Sequence, residues 1–101
     1  TSLKRSSVLP ELPTIDESGL RGFEAISWFG LMAPAGTPVA IVDKVYKQAA
    51  QMVAAPEMKA KLAQLGLDTT SDPPDAFGAI IKSDIAKWAK VIQEANIKAE
   101  Q

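Results

Sequence analysis

The chain has 101 residues, of which 47% are hydrophobic and 23% charged, and its net charge at pH 7 is −1. These values are typical of one small globular domain and exclude a disordered chain or a protein drawn electrostatically to nucleic acid. Cysteine and histidine are both absent, which excludes disulfides, a Ser-His-Asp triad and nearly every zinc or non-haem iron site. We therefore expect neither a metal nor a cofactor.

The first 22 residues are predicted to form a connector that contains one short helix. Residues 1–13 include two prolines, which lack amide donors and push the preceding residues toward extended conformations. Thr14 and Glu17 then have the spacing of a capping box, in which each side chain accepts the backbone amide of the other residue. This pattern predicts a short helix after Thr14, which the following glycines stop.

The segment FEAISWFGLMAPAGTP, residues 23–38, predicts a strand, a turn and a capped helix. Nearly every residue from Ser27 to Ala33 is apolar, and the aromatic and β-branched content favours an inner strand of an α/β sheet. We expect Thr37 to cap the next helix and Pro38 to occupy its first position. A buried helix and a sticky surface peptide are the competing interpretations of this segment.

Three main helices are predicted downstream of this turn. The first covers residues 38–54, the second begins at Pro56, and the third covers residues 73–95, with Asp72 as its N-cap. Each helix carries apolar residues at helical spacing, and we expect those stripes to pack in the core. Gly66 occupies the usual position of a left-handed cap at the end of the second helix.

The predicted strands are too few to form a stable sheet. Leu67–Thr70 is predicted to be a short edge strand, but a sheet of two strands is unstable alone in water. The strand at Ser27–Ala33 needs a neighbour on each edge, and this chain supplies at most one. The chain therefore looks incomplete, and we expect missing sequence or a second copy to complete the sheet.

Little in the sequence indicates catalytic chemistry. The glycines are isolated, no serine lies in a G-x-S-x-G elbow, and the carboxylates lie mainly at helix starts or on polar helix faces. The best polar candidates for contact with a ligand are Ser27 and Trp28, at the entrance of the predicted strand, and Thr1 and Ser2. Tryptophan is more often a core residue than a ligand platform, so both interpretations of Trp28 stay open.

The stretch LPELPTIDESGLRGFEAISWFGLMAPAGTP, residues 9–38, resembles the signature of the Bug-type receptors. These are the extracytoplasmic solute-binding proteins of tripartite tricarboxylate transporters. Their typical pattern is L-P-D-V-P-T-[VI]-x-E-x-G, then G-[FY]-E, then W-[FY]-G-[LF]-x-A-P-A-G-T-P. Glu11 replaces the commoner Asp, and Leu12 the commoner Val. Residues 54–98 also resemble the family's ending, so the likeness covers the whole chain.

The resemblance implies a two-lobed periplasmic binding protein that closes around a small ligand, usually a carboxylate. The chain looks like its C-terminal portion, with residues 1–22 as the inter-lobe connector and residues 23–101 as the strand and helices of one type II-like α/β lobe. In the intact protein Ser27 and Trp28 would then lie near the cleft. The resemblance places Thr1 and Ser2 near the hinge.

The leading hypothesis is therefore a periplasmic receptor that delivers a small organic acid to the subunits of a membrane transporter, without catalysis. The alternative is a helical or strand-sharing assembly module without a small-molecule ligand, for example a homodimer formed by exchange of strands. An enzyme ranks third, because the absence of histidine and cysteine removes the commonest catalytic groups.

Overall fold

The computed structural model describes residues 1–98, and the regular secondary structure of that range is three α-helices. Helix α1 spans Val39–Ala54, α2 spans Pro56–Gln64 and α3 spans Pro74–Glu94. The chain divides into two compact units, Thr1–Ser71, which holds α1 and α2, and Asp72–Gln101, which holds α3. The three predicted helices are confirmed, with boundaries that agree closely.

In the first unit, α1 and α2 contact each other and share one boundary residue. Ala55 ends α1 and is also the N-cap of α2, with extended backbone angles of φ −63° and ψ 133°. Pro56 then opens α2 at a position where the missing amide hydrogen has no helical partner to lose. Glu57 and Lys61 form an ion pair of 3.0 Å one turn apart, in the favourable order along the helix.

Helix α2 ends in the left-handed turn that its glycine predicts. Gly66 has φ 73°. Its amide donates to the carbonyl of Ala63 at 2.9 Å, and the amide of Leu67 donates to the carbonyl of Leu62 at 3.0 Å. These two bonds satisfy carbonyl groups that a helix end otherwise leaves open, and they confirm the predicted role of Gly66.

Two glycine-to-alanine substitutions are expected to change stability in opposite directions. Gly66→Ala should lower the free energy of unfolding by about 1 kcal/mol, because alanine resists the left-handed region. Gly78 lies inside α3, and nothing lies within 4 Å of an added Cβ, so Gly78→Ala should raise the same free energy by about 0.5–1 kcal/mol. Urea unfolding of both variants measures the two changes, and changes of equal sign would contradict this account.

The predicted strand at Ser27–Ala33 is wrong for this chain. Residues 23–34 contain no regular secondary structure. Phe29, Leu31 and Met32 expose 82%, 72% and 70% of their surfaces. A strand exists only when a neighbour supplies its ladder of backbone hydrogen bonds, and no second strand occurs within residues 1–98. The apolar pattern indicates a strand propensity, which residues 1–98 do not satisfy.

Two smaller predicted elements are also replaced by turns or irregular backbone. Leu67–Thr70 has no strand to pair with and is irregular. Residues 15–19 form consecutive turns instead of a helix, and the Ser18 amide bonds the carbonyls of both Thr14 and Ile15 at 3.1 Å. Gly19 then adopts φ 116°, which stops the chain from continuing into a helix.

The predicted side-chain caps at α1 and α3 are wrong as well. Pro38 and Pro73 are the N-cap residues, and neither helix has a side-chain cap hydrogen bond. The Thr37 hydroxyl donates backward to the carbonyl of Pro34 at 2.8 Å, so it stabilises the preceding turn. Asp72 lies one residue before the observed cap, because the helix starts one residue later than the sequence indicates.

The apolar stripes of the helices follow the predicted spacing but are not packed into a core. Within residues 1–98 no hydrophobic side chain is buried, and the buried residue there is Thr14, at 6% exposure. Several apolar residues of the helices remain substantially exposed: Val39, Ile41, Val45, Met52, Ile80, Ile85, Trp88, Val91 and Ile92. Neither unit encloses these stripes from its own residues.

Candidate functional site

The four predicted site residues lie on two segments that backbone hydrogen bonds join. The nitrogen of Thr1 donates to the carbonyl of Ala25 at 2.5 Å, and the Ala25 amide donates back to the carbonyl of Thr1 at 2.9 Å. This reciprocal pair has the pattern of one hydrogen-bonded pair in an antiparallel ladder. It brings the start of the chain beside the segment that carries Ser27 and Trp28.

The surroundings of these side chains differ. Ser27 is exposed and Trp28 is partly buried. The Ser2 hydroxyl donates to the carbonyl of Lys4 at 2.5 Å, which leaves its oxygen lone pairs as acceptors. The exposed Ser27 hydroxyl and the partly buried Trp28 indole therefore lie on the segment that is hydrogen-bonded to Thr1.

The connector is held by three residues, Arg5, Thr14 and Glu17, which we call the connector clasp. Nε of Arg5 donates to the two carboxylate oxygens of Glu17 at 2.9 and 3.2 Å. The Thr14 amide donates to Glu17 Oε2 at 2.8 Å, and the Glu17 amide donates to Thr14 Oγ1 at 3.1 Å. The capping box predicted from the sequence is thus confirmed, although it closes a series of turns rather than opening a helix.

Arg5 is the member of the clasp that sequence reasoning missed. It precedes Thr14 by nine residues and Glu17 by twelve, and no local spacing rule relates residues so far apart in an extended segment. Its guanidinium also donates to the carbonyl of Pro10 at 3.2 Å. The clasp therefore joins the first residues of the connector to the turns at its end.

The clasp lowers the pKa of Glu17 below its ordinary value of 4.5. The hydrogen bond from Arg5 is the largest cause, and the Thr14 amide is the second. Both favour the ionised carboxylate, because each donates to the charged form. Burial opposes the shift and does not cancel it.

This shift predicts that Glu17 supports the fold at neutral pH and loses that role in acid. Since the folded-state pKa lies below the unfolded one, the contribution is complete above pH 4.5 and disappears as the pH falls through the lowered value. A carbon-detected NMR titration of the Glu17 carboxyl should show a midpoint below 4.5, and Arg5→Gln should raise it. A midpoint that Arg5→Gln leaves unchanged would contradict the assignment of Arg5 as the main cause.

A small pocket of about 120 Å³ lies in the same unit, beside the loop that follows α2. Its lining residues are Val53, Ala54, Lys59, Thr69, Thr70 and Ser71. The Tyr46 hydroxyl donates to the carbonyl of Ser71 at 3.4 Å, and the Ser7 hydroxyl donates to the carboxylate of Asp68. Ligand sites are usually several times larger, and none of the four predicted site residues lines this pocket.

Residues 1–98 contain neither a candidate metal site nor a candidate membrane span. No group of three or more acidic residues there is placed to hold a metal ion. None of the three helices combines the length and the apolarity that a bilayer crossing needs.

Comparison with known proteins gives the family. The Tripartite tricarboxylate transporter family receptor matches residues 1–97. The chain therefore belongs to this receptor family, as its sequence motif indicates.

Relatives of known sequence and structure agree with this family. The UPF0065 protein of the tcbD–tcbE intergenic region in Pseudomonas sp. (strain P51) is 40% identical over 102 residues, which cover 100% of this chain and 30% of that protein. Protein BugT of Bordetella pertussis is 30% identical, over 96% of this chain and 30% of its own length. The solved structure of the periplasmic binding protein BugD matches with a TM-score of 0.77 and 39% identity, over 99% of this chain and 34% of that one.

The chain thus spans about a third of the length of each of these three proteins. The structural match confirms the predicted fold class, a part of an α/β lobe of a periplasmic binding protein. The family match confirms the predicted receptor family, and the structural neighbour BugD is a periplasmic binding protein. The absence of strands within residues 1–98 agrees with a portion of a lobe whose strand partners lie elsewhere.

Proposed function

We propose that this chain is part of a receptor that binds a small organic carboxylate and delivers it to the membrane subunits of a tripartite transporter. The observation that carries the proposal is the match of the receptor family to residues 1–97. A match over nearly the whole chain, together with a structural neighbour at 39% identity, makes a shared binding role the simplest expectation.

Hydrogen bonds from neutral groups suit this ligand class. The chain has a net charge of −1, and its cations are spread along the sequence, so no cluster of lysine and arginine is available to hold an anion. A carboxylate is an acceptor that hydroxyl and amide groups can satisfy, and charge-assisted bonds of this kind are strong. We therefore propose that Thr1, Ser2, Ser27 and Trp28 contribute to the ligand site.

Calorimetry of the full-length protein that contains this chain tests the ligand class. The panel consists of succinate, citrate, glutamate and benzoate, with an uncharged sugar as the negative control. We expect at least one acid to bind with micromolar or tighter affinity, about −8 kcal/mol, and the sugar to give no heat. Binding of the sugar without binding of any acid would contradict the proposal.

Delivery to the transporter is tested by uptake in cells. Deletion of the receptor gene should abolish uptake of the radiolabelled acid that calorimetry identifies, and a plasmid copy should restore it. Uptake that is unaffected by the deletion would show that this receptor does not deliver that acid.

A second candidate is a homodimer of this chain formed by sharing of strands. It is favoured by the exposure of Phe29, Leu31 and Met32 in a segment that has strand propensity but no partner. Light scattering of the chain at high concentration should then give twice the monomer mass, and Leu31→Lys should restore the monomer. A monomer at every concentration rules out this candidate.

A further inference from the structure

The segment between Thr1 and Ala25 is a loop whose ends are joined by reciprocal backbone bonds of 2.5 and 2.9 Å. Two bonds at the ends leave the intervening residues many arrangements, because the entropy of an open loop favours disorder. A second contact between distant residues of the loop reduces the number of these arrangements. Arg5 and Glu17 form such a contact, since Arg5 Nε lies 2.9 Å from Glu17 Oε2.

The hydrogen bonds of the clasp set the orientation of the Arg5 and Glu17 side chains as well as the distance between them. The Glu17 carboxylate receives Arg5 from one side and the Thr14 amide from its own turn. Arg5 is oriented in addition by the carbonyl of Pro10. Thr14 is 6% exposed, so the clasp is anchored at a buried residue.

We propose that the connector clasp of Arg5, Thr14 and Glu17 keeps Thr1 paired with Ala25, and thereby positions the two segments that carry Ser2, Ser27 and Trp28 at the proposed ligand site. This inference rests on the proposed function for its consequence in binding, but not for its consequence in the backbone. The clasp residues are positioning residues, because they act through the Thr1–Ala25 pair and are not proposed to contact the ligand.

A role in positioning differs from a general role in stability. The side chains of Arg5 and Glu17 are 43% and 41% exposed, and exposed ion pairs contribute little to global stability. Loss of the clasp should therefore leave the unfolding midpoint nearly unchanged and loosen the Thr1–Ala25 pair locally. These two effects are separable by measurement.

The test compares Glu17→Gln with Glu57→Gln in the full-length protein. Each substitution removes one carboxylate charge from an exposed ion pair, and the Glu57–Lys61 pair lies on α2, outside the loop. Hydrogen exchange of the Ala25 amide should become about three- to five-fold faster in Glu17→Gln and stay unchanged in Glu57→Gln. Arg5→Lys, which keeps the charge but loses the fork of donors, should give an intermediate rate.

Binding of the acid identified by calorimetry completes the test. We expect Glu17→Gln to weaken it about three- to ten-fold, and Glu57→Gln to leave it unchanged. If hydrogen exchange of the Ala25 amide is unchanged in Glu17→Gln, the proposed role of the clasp is wrong, whichever ligand the protein binds. If Glu17→Gln speeds exchange of the Ala25 amide but leaves the affinity for the acid unchanged, the clasp does not position the ligand site. If no acid in the panel binds, the proposed function fails, and the exchange data still decide whether the clasp holds the two segments in register.

Discussion

Phe29→Glu is expected to destabilise the full-length protein by about 3–5 kcal/mol. Phe29 is 82% exposed in this chain, and a substitution at such a position ordinarily changes stability by about 0.5 kcal/mol or less. The large effect is expected because Phe29 lies in an apolar segment without a strand partner, and the relatives are about three times longer than the chain. We expect the longer protein to supply a surface against which this ring packs.

Urea unfolding of the full-length protein measures this effect. Gln48→Glu is the matched control, since it adds the same carboxylate at an exposed position of α1. We expect the control to change the free energy of unfolding by about 0.5 kcal/mol or less. If Phe29→Glu changes the free energy of unfolding as little as Gln48→Glu does, then Phe29 faces solvent in the full-length protein. The segment would then not form a buried strand there.

Trp28→Ala is expected to weaken ligand binding by about 1–3 kcal/mol, or roughly five- to 150-fold. The indole is partly buried beside the exposed Ser27, so truncation removes a rigid wall of the proposed site. Trp28→Phe keeps an aromatic ring and should lose less. Calorimetry with the identified acid gives the affinities, and unfolding without ligand separates a binding defect from a folding defect.

Trp88 provides the matched control for Trp28. It lies on α3 and exposes 38% of its surface, and no predicted site residue belongs to that helix. Trp88→Phe should leave the affinity unchanged, even if it lowers stability. Equal losses of affinity in Trp28→Phe and Trp88→Phe would mean that Trp28 is a core residue, which is the other interpretation that its sequence context allows.

The helices were predictable because their signals are local. Helix α1 follows from apolar residues at i, i+3 and i+4 after Pro38, and α2 from Pro56 at its start and Gly66 at its end. The backbone bonds of a helix are made within the segment, so the sequence contains everything that they need. The capping box of Thr14 and Glu17 was predictable for the same reason, since its partners are three residues apart.

The predicted strand at Ser27–Ala33 is absent, because a strand needs backbone hydrogen bonds from a second strand, and residues 1–98 contain none. Arg5 was missed because its partner Glu17 is twelve residues away across a loop. For the candidate site, the residue types of Thr1, Ser2, Ser27 and Trp28 made them candidates. The structure adds the hydrogen bonds between Thr1 and Ala25, which join the segment that begins at Thr1 to the segment that carries Ser27 and Trp28.

Periodicity, turn residues and a long family motif were enough to define three helices and the receptor family of this protein. The pairing of Thr1 with Ala25 and of Arg5 with Glu17, and the absence of any strand within residues 1–98 that could pair with Ser27–Ala33, were decided by the tertiary structure. The physical difference is the distance along the chain between interacting groups. Contacts within one helical turn are encoded where they occur, whereas contacts across a loop depend on how separate segments meet.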